Sequence, residues 1–481
     1  MRWTLQQVAG ALGVAAPGGL DPLARLAGVS IDSRTVARAE LFVAIHGPRH
    51  DGHAFVAQAL AAGALAAVVA RARVAEYPEA LRGKLFAVDG TLGALQHLAS
   101  EVRRAWGRRL AAVAGSVGKT TTKEILAALL AARLRVLKSE GNLNNEYGLP
   151  LALLRLDDAH EAAVVELGMS HRGEIARLAE IAEPSVGVVT RVAPVHLEFF
   201  SSVDEVALAK RELIEGLRGK NSVAVLNADD ECVARFAEVA PGRVVTFGFS
   251  ERADFRAAAV EDRGVEGTAF ELVAPGERGR LTLPLAGRHN VANALAALAA
   301  ASAWGIGIRE AQRALANLAP AAMRGEILRF EAGLTVINDS YNSNPVALDA
   351  MVDLLAAPPG YRRRVLVAGE MLELGPSSAE LHRKAGQYAA RKQVDCIFGV
   401  QGEAANLVRG AEEAGRGAWE TRFFASSDEA AVFVAGFVKP GDLVLVKGSR
   451  GVKMERVVEA LKSRFALAEA APEVAWRKER G

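Results

Sequence analysis

The feature that most constrains the fold of this chain is the segment LAAVAGSVGKTTTKEILAALL, residues 110–130. A continuous apolar stretch leads through Gly115 and Gly118 into a helical pattern that begins at Lys119. This order predicts a buried strand, a glycine-rich loop and a helix whose N-terminus faces an anion. Strand-to-helix alternation of this kind is typical of α/β folds, in which helices cover both faces of a parallel sheet.

The same alternation of apolar runs and helical patterns extends over most of the 481 residues. At roughly 150 residues per domain, this length predicts about three domains. We expect a small α/β domain over residues 1–88 and a central domain with a parallel sheet over residues 89–318. A Rossmann-like domain is expected over residues 319–465, followed by a loose tail over residues 466–481.

Composition excludes several classes of protein. A hydrophobic content of 51% and a charged content of 24% are typical of a soluble globular chain, and a net charge of +2 without a long basic run argues against a nucleic-acid partner. The N-terminus carries Gln6 and Gln7 where a secretory signal needs an apolar core. The most apolar segment, residues 294–308, is shorter than the ~20 residues of a membrane helix. We therefore expect a cytoplasmic protein that does not insert into a membrane. The two cysteines, Cys232 and Cys396, lie far apart and are expected to be buried thiols.

The glycine loop contains the residue types that bind nucleotide phosphates. Glycines let backbone amides approach phosphate oxygens, Lys119 is expected to neutralise the β and γ phosphates, and Thr120 or Thr121 to reach Mg²⁺. The common pattern has glycine where this chain has Val113, which indicates a subtype of the loop. The predicted phosphate contacts are Gly115, Ser116, Val117, Gly118, Lys119, Thr120 and Thr121.

Six further stretches follow or flank this loop in a fixed order. They are SEGNLNNEYGLPLALL (139–154), VVELGMSHRGEI (164–175), VAPVHLEFFSSVDEVALAKRELI (192–214), LAGRHNVANALAA (285–297), NDSYNSNP (338–345) and VKGSRGVKMERVV (446–458). Together they resemble the Mur ligases, ATP-dependent amide-forming enzymes of peptidoglycan precursor assembly. The resemblance runs from about residue 30 to residue 460. It implies that a carboxylate is activated by ATP as an acyl phosphate.

The resemblance also implies a metal site beside the phosphate loop. Glu166, at the end of an apolar run, would hold Mg²⁺ together with Thr120. His196 and Lys210 would hold a second Mg²⁺, with Lys210 carbamoylated, because an unmodified lysine repels a cation. Lys119, His196 and Lys210 are the expected catalytic residues.

The nucleotide site is implied to lie between two domains. His289, Asn290 and Asn293 resemble the adenine-side helix, on which the two asparagines share a face. In the third unit Arg324 is expected to face phosphate, and Asp339 and Asn342 to touch ribose and adenine. Lys447 belongs to the same unit. Such a shared site implies that the third domain closes onto the second.

Two stretches are expected to contact the precursor substrate. Asn142, Asn144 and Asn145 resemble the loop that faces substrate and phosphate, although asparagines at these positions are also typical of turns. In the first domain Ser33 and Arg34 would lie near uridine diphosphate. Two departures from the family pattern occur: Ala39 and Arg191 stand where the pattern has glycine and asparagine.

The third unit favours one branch of the family. It lacks the DNPR motif of the ligases that add diaminopimelate, and its AGEMLELGPSSAELHRKAG stretch (368–386) resembles the branch that adds D-Ala-D-Ala to UDP-N-acetylmuramoyl-tripeptide. A monomer is implied. A tripeptide-forming ligase of the same mechanism and a non-catalytic ATP-binding subunit are the alternatives. Neither the general base for the amine nor the residues that hold the dipeptide carboxylate follow from the sequence. Arg383 and Lys384 have a suitable charge, but they are better explained as solvated helix residues.

Overall fold

The computed structural model describes residues 3–47, 50–195, 197–331, 333–415 and 420–468. Over these residues the chain forms three α/β domains, each built around its own sheet. The strands are β1 (Gly28–Ser30), β2 (Glu40–Val43), β3 (Ala66–Ala70), β4 (Leu85–Val88), β5 (Leu110–Ala114), β6 (Val136–Lys138), β7 (Ala162–Glu166), β8 (Val186–Val189), β9 (Val223–Asn227), β10 (Arg243–Gly248), β11 (Phe255–Asp262), β12 (Thr268–Ala274), β13 (Glu277–Leu283), β14 (Glu326–Arg329), β15 (Thr335–Asp339), β16 (Arg363–Gly369), β17 (Cys396–Val400), β18 (Glu420–Phe424) and β19 (Asp442–Lys447).

The α-helices connect and cover these strands. They are α1 (Leu5–Leu12), α2 (Val56–Ala61), α3 (Glu79–Arg82), α4 (Thr91–Trp106), α5 (Lys119–Ala131), α6 (Gly148–Leu153), α7 (Glu174–Ala182), α8 (Val203–Glu215), α9 (Glu231–Ala234), α10 (Arg288–Ala301), α11 (Ile308–Ala316), α12 (Pro345–Ala356), α13 (Ser378–Arg391), α14 (Ala404–Glu413), α15 (Ser427–Phe437) and α16 (Glu455–Arg464). Among the described residues, none of the helices has both the length and the apolarity needed to cross a membrane.

The N-terminal sheet is parallel and keeps the order of the chain, β1-β2-β3-β4. Its two faces pack differently. Leu41, Val43 and Val68 join a core shared with the central domain, whereas Phe42 and Val69 form a small core with α2. Alternate residues of the same strands thus tie this domain to its neighbour on one side only.

The central sheet has nine strands in the order β13-β12-β11-β10-β9-β8-β5-β7-β6. The expected parallel arrangement holds from β6 to β11, whereas β12 and β13 are antiparallel. A two-residue turn at Pro275 and Gly276 joins these last strands, since Ala274 pairs with Glu277. Charged residues alternate with apolar ones here because one face of the hairpin meets solvent. The continuous apolar runs on which the sequence prediction relied do not occur in such strands.

Helices cover both faces of this sheet, as expected. The alanine-rich helix α10 is buried and packs with α5 on one face. Helices α4, α7 and α8 cover the other face and share a core with the N-terminal domain. From α4, Arg103 donates to the backbone oxygens of Ala182 and Glu183, at 2.6 and 2.9 Å. The connection at residues 88 to 110 is thus packed on both domains, and the boundaries at 88 and 318 remain predictions.

The C-terminal sheet has the order β14-β15-β19-β16-β17-β18, with only β14 antiparallel. At the start of the expected loose tail, Leu467 forms a β-bridge with Phe330, and Ala468 N–H donates to Arg329 O at 2.9 Å. The rest of that tail, from residue 469, lies outside the described residues.

This topology sets the position of the site. In open α/β sheets, ligands bind beyond the carboxyl ends of the parallel strands. In the central sheet β5 lies between β8 and β7, so the glycine loop that follows β5 emerges between the ends of those neighbours. In the C-terminal sheet β15 and β19 are neighbours and end together at Asp339 and Lys447.

Candidate active site

The glycines of the loop are required by close contacts as well as by backbone conformation. Gly115 and Gly118 have φ of 147° and 83°, in the region that favours glycine. A Cβ on Gly115 would lie 2.0 Å from Thr190 Oγ1, and one on Gly118 would lie 2.1 Å from Asn293 Oδ1. The loop therefore lies tightly between the end of β8 and helix α10, and α5 begins directly after it at Lys119.

The loop is held from the sheet side by Thr190 and Asn227, which the sequence did not single out, and by its own residue Ser116. Thr190 Oγ1 donates to Val117 O at 2.6 Å, and Asn227 Nδ2 donates to Thr190 O at 2.8 Å. Ser116 donates its N–H to Arg191 O at 2.7 Å and its hydroxyl to Ala193 O at 3.1 Å. Both polar groups of Ser116 are thus engaged within the protein, so Ser116 supports the loop in this conformation.

Lys119 lies over the loop. Its Nζ donates to Gly115 O at 2.9 Å. Burial lowers the pKa of Lys119, the nearby carboxylate of Glu166 opposes this change, and Arg324 of the C-terminal domain adds to it. A phosphate placed here would restore the preference for the charged ammonium, because it supplies negative charge to a crowded cationic site.

Glu166 is held by both of its oxygens. Thr120 Oγ1 donates to Oε2 at 2.7 Å, and Asn144 Nδ2 donates to Oε1 at 2.9 Å. Glu166 and Thr120 are buried, yet both line the cleft. Thr121 also lines the cleft, but it is Thr120 that meets the carboxylate. Thr120 and Glu166, which the sequence predicts to hold Mg²⁺, are therefore in direct contact, and the metal site stays a prediction.

Behind Glu166 lies a buried lysine that sequence reasoning missed. Lys123 is 0% exposed, and its Nζ donates to Ser139 O at 2.6 Å and lies 3.1 Å from Glu124 Oε1. Ser139 Oγ in turn accepts the backbone N–H of Glu166 at 3.1 Å. A signal existed in the sequence: position 123 precedes Leu126 by three residues and so shares the apolar face of the helix.

The three predicted asparagines have different roles. Asn144 holds Glu166. Asn145 Oδ1 accepts the backbone N–H of Gly148, the first residue of α6, at 2.9 Å. Asn142 O accepts from Asn144 N at 2.8 Å within the turn. All three line the cleft, but the turn role that the sequence left open accounts for the observed contacts of Asn145.

Lys210 lies on α8 and is 2% exposed. Burial, with a further contribution from Lys119, lowers its pKa well below the ordinary value. Lys119, Lys210 and Glu166 all line the cleft, and the two lysines are close enough for the charge of Lys119 to lower the pKa of Lys210. His196, the other residue predicted for this metal site, lies outside the described residues.

The predicted adenine-side residues lie on α10. Asn293 Nδ2 donates to Asn290 Oδ1 at 3.2 Å, as expected for residues on one face, and Asn290 Nδ2 donates to Ala286 O at 2.8 Å. Asn293 is also the side chain packed against Gly118, so it shapes the phosphate loop. His289 lines the cleft, and burial lowers its pKa.

An unpredicted pair lies next to that helix. The Arg288 guanidinium lies 3.8 Å from the centroid of the Phe249 ring, and both residues line the cleft. An arginine stacked on an aromatic ring presents a flat surface beside the predicted adenine position. The sequence carried no signal for this pair, because Phe249 follows β10 and is remote from α10 along the chain.

The C-terminal domain supplies the opposite wall. Lys447 is 3% exposed, forms an ion pair with Asp339, and donates to Asn342 O at 2.8 Å. The Arg324 guanidinium lies 4.2 Å from the centroid of the Tyr341 ring. The structure thus brings Arg324, Asp339 and Asn342 together at one strand end.

These two walls line one cleft of about 1220 Å³. It takes in the glycine loop, Glu166, Lys210 and His289 from the central domain, and Arg324, Asp339, Asn342 and Lys447 from the C-terminal domain. Ser33 and Arg34 do not line it. Ser33 is buried in the N-terminal domain, and Arg34 is exposed and paired with Asp32 at 2.7 Å. Within the described ranges, no three His, Cys, Asp or Glu side chains converge as a metal site.

Comparison with known proteins assigns the family. The model of the Mur ligase family catalytic domain matches residues 25–103, that of the Mur ligase middle domain residues 113–301, and that of the Mur ligase glutamate ligase domain residues 323–450. A UDP-N-acetylmuramoyl-tripeptide–D-alanyl-D-alanine ligase of Bacillus subtilis is 36% identical over 434 residues, which is 90% of this chain and 93% of that protein. The chain belongs to the Mur ligase family. The ligase of the same name from Escherichia coli is 38% identical over 440 residues, with the same coverage.

Solved structures of Mur ligases support the same assignment. A crystal structure of MurF from Acinetobacter baumannii has a TM-score of 0.86 and 31% identity, and covers 96% of this chain and 99% of that one. The MurF ligase of Thermotoga maritima, solved in complex with ADP, has a TM-score of 0.79 and 30% identity, and covers 91% of this chain and 97% of that one. The predicted family and the predicted three-domain α/β fold are therefore confirmed.

Ala39 illustrates a departure from the family pattern that the fold tolerates. It stands where the pattern has glycine, and it keeps a φ of 64°, the left-handed conformation that glycine adopts more easily. Its N–H donates to Gly63 O at 2.9 Å. The turn before β2 thus holds an alanine in a backbone conformation that glycine adopts more easily.

Proposed function

We propose that this chain is the ligase that adds D-Ala-D-Ala to UDP-N-acetylmuramoyl-tripeptide with ATP, giving the pentapeptide precursor of peptidoglycan. One observation carries the proposal: a single cleft joins the phosphate loop, Glu166 and Lys210 to Arg324, Asp339 and Lys447 of another domain. The relatives that carry this activity in their names are 36% and 38% identical over 90% of the chain.

The nucleotide binds across the two walls. Its phosphates lie on the N-terminus of α5, where the loop amides and Lys119 offset their charge. Its ribose and adenine lie between α10 and Asp339, beside the stacked Arg288 and Phe249. The ADP complex of the Thermotoga maritima MurF supports an adenine nucleotide as the ligand.

The donor set beside the loop fits Mg²⁺. The hydroxyl of Thr120 and the carboxylate of Glu166 are hard oxygen ligands, and they lie 2.7 Å apart with both side chains buried. These two residues would hold Mg²⁺, which would supply positive charge to the phosphate oxygens. We assign a second ion to His196 and Lys210.

Lys210 fits that assignment only as a carbamate. A buried ammonium facing Lys119 repels both Lys119 and a metal ion. The ammonium first loses a proton. The resulting amine then reacts with CO₂, which forms an N–C bond and releases a second proton, so the cationic side chain becomes an anionic, bidentate oxygen ligand. Such a group pairs with Lys119 and supplies the negative charge that this part of the cleft lacks.

The reaction then takes two steps. An oxygen of the tripeptide carboxylate attacks the γ phosphorus, the bond from that phosphorus to the bridging oxygen breaks, and ADP leaves. The amine of D-Ala-D-Ala attacks the acyl carbon, inorganic phosphate leaves, and the nitrogen loses a proton as the amide forms. Lys119 stabilises the charge of the transferred phosphoryl group in the first step.

The precursor substrate reaches this cleft from another domain. We assign its uridine diphosphate to the N-terminal domain near Ser33 and Arg34, outside the cleft, so that the peptide arm extends towards Glu166. Both the nucleotide precursor and ATP are cytoplasmic compounds, and we propose that the chain acts there as a monomer. Asn142, Asn144 and Asn145 line the path at the cleft.

Release of ADP, measured with the tripeptide precursor and one amine at a time, tests the proposal. Turnover is expected with D-Ala-D-Ala. Turnover with diaminopimelate or lysine alone would assign the chain to the tripeptide-forming branch. Absence of turnover with every amine, while ATP still binds, would indicate a non-catalytic binding subunit.

A further inference from the structure

A short segment of the C-terminal domain contacts the central domain at the edge of the cleft. It comprises residues 371–375, between β16 and α13, and is called here the docking segment. Leu372, Glu373 and Leu374 line the cleft. Gly375, the last residue of the segment, begins a short 3-10 turn that leads into α13.

The docking segment is pinned to its own domain by its backbone. Met371 N–H donates to His382 Nε2 at 2.9 Å, and Leu372 N–H donates to Ser449 Oγ at 2.9 Å. His382 and Ser449 are buried, at 0% and 3% exposure. Two consecutive amides are therefore fixed by side chains from separate parts of the chain, one on α13 and one after β19.

The hydrogen bonds of His382 define its protonation. Nε2 faces a backbone N–H and must accept, whereas Nδ1 lies 2.8 Å from Ser378 O and must carry the proton. Only the neutral ring with hydrogen on Nδ1 satisfies both contacts. Burial lowers the pKa of His382, which favours this neutral form.

On its other side the docking segment touches the central domain. Glu198 N–H donates to Glu373 O at 3.4 Å. Gly375 has a φ of 56°, and a Cβ there would lie 2.8 Å from Leu197 O and 3.1 Å from Glu198 Cα. A side chain at position 375 would therefore collide with the backbone of another domain.

The contacted residues of the central domain lie shortly before helix α8. Leu197 and Glu198 precede Ser202, which caps α8 by accepting the N–H of Glu205 at 3.2 Å. Helix α8 carries Lys210. A displacement of residues 197 and 198 would therefore be transmitted to the start of the helix that presents this lysine to the cleft.

We propose that the docking segment is the contact through which the C-terminal domain docks onto the central domain for reaction. Gly375 is the positioning residue that permits the close approach, and His382 is the positioning residue that sets the shape of the segment. The inference rests on the proposed ligase function. It adds to that function the specific place at which closure is completed.

A matched pair of glycine variants tests the role of Gly375. Gly360 also has a left-handed backbone, with a φ of 87°, but it lies in an exposed turn where a Cβ would meet nothing within 4 Å. Gly360→Ala is expected to lower Tm through backbone strain alone, and Gly375→Ala to lower it by at least as much, because its Cβ also meets another domain. Only Gly375→Ala is expected to lower kcat/KM for D-Ala-D-Ala, by about tenfold or more.

Small-angle scattering gives a second readout that does not depend on turnover. Wild type and Gly360→Ala are expected to become more compact with a non-hydrolysable ATP analogue and the tripeptide precursor. Gly375→Ala is expected to stay more extended under the same conditions. Equal kcat/KM and equal compaction in the two variants would overturn the proposal. A wild type that compacts but turns over no amine would instead refute the ligase function alone.

His382→Phe tests the second positioning residue, because it keeps a ring of similar size but removes the acceptor for Met371 N–H. The expected result is a raised KM for D-Ala-D-Ala, with the affinity for ATP in calorimetry unchanged. A lower Tm with an unchanged KM would assign His382 a purely structural role and remove it from the proposal. If this variant does not fold, the glycine pair decides.

Discussion

The two walls of the cleft are built in different ways. On the central wall the acidic residue Glu166 is held at both oxygens and at its backbone N–H, and one of those three partners, Ser139, is held in turn by Lys123 from behind. On the C-terminal wall, Asp339 and Lys447 pair with each other, and Arg324 rests on Tyr341. The central wall is thus a connected network on one sheet, which is preorganised for phosphate and metal. The other wall is a separate body that reaches the site by docking.

The difference has a physical consequence for the chemistry. A preorganised wall costs no rearrangement at the moment of reaction, so its charges stabilise the transferred phosphoryl group fully. A docking wall can admit and release substrates, and it completes the site only when closed. Variants of the first wall should therefore affect the chemical step, and variants of the second should affect substrate capture.

The largest effect is expected from the central wall. Lys119→Ala removes the cation that faces the transferred phosphoryl group, and it should lower kcat by about 10²–10³-fold or more with an unchanged circular dichroism spectrum. Lys220→Ala is the matched control. Lys220 is an exposed lysine next to the amino end of β9, whereas the phosphate loop lies at the carboxyl ends of the strands of the same sheet. Full activity in Lys119→Ala would remove the phosphate loop from the proposal.

The next prediction tests whether the hydrogen-bond network behind Glu166 contributes to stability and to Mg²⁺-dependent binding. Lys123→Met leaves Ser139 O without its donor and should lower the free energy of unfolding by about 1–3 kcal/mol. It should also weaken Mg²⁺-dependent binding of an ATP analogue in calorimetry, because Ser139 positions Glu166. Arg103→Met removes another buried cation, one that is bonded to Ala182 O and Glu183 O. That control should lose stability without losing Mg²⁺-dependent binding. Equal binding by both variants would make Lys123 a structural residue only.

A smaller effect concerns the stability of the docking wall against pH. Burial lowers the pKa of His382, and the carboxylates of Glu370 and Glu403 only partly oppose this. In the unfolded chain the ring takes up a proton near its ordinary pKa of about 6.5, whereas the folded ring resists it. Stability is thus fully present above that pH and is lost on acidification, by at most about 1.4 kcal/mol per pH unit for one proton.

Chemical denaturation between pH 7.5 and 5.5 measures this contribution. Burial lowers the pKa of His289 as well, so the wild type should lose stability through both rings. His382→Gln should show a shallower slope than wild type, because one of the two titrating rings is gone. Parallel slopes would mean that protonation of His382 does not differ between the folded and unfolded chains.

The smallest effect is expected away from both walls. Ala39→Gly relieves a left-handed backbone at an alanine and should raise the free energy of unfolding by about 1 kcal/mol, offset in part by the greater freedom of glycine in the unfolded chain. Since Ala39 lies in the N-terminal domain and outside the cleft, kcat and the KM values should not change. A change in either would show that this turn communicates with the site.

Much of the central wall could be predicted from the sequence because its elements are local. The apolar run, the two glycines and Lys119 are consecutive, and the carboxylate at the end of β7 follows from the same strand pattern. The hairpin of β12 and β13 was not predicted because its charged residues alternate with apolar ones, whereas a buried parallel strand is a continuous apolar run. Lys123 was not predicted because lysine is rarely buried, and its position on an apolar helix face does not reveal the buried partner that makes its burial possible.

The sequence alone determined most of the alternation of strands and helices, the need for glycine in the phosphate loop, and the family to which the chain belongs. Only the tertiary structure decided which side chains meet. Gly118 is confined by Asn293 and Gly375 by Leu197, and in each case the partner lies in a different part of the chain. Local patterns set the conformation of a segment through steric and hydrophobic preferences of nearby residues. Contacts between distant segments depend on how the sheets and domains pack, which no single stretch of sequence contains.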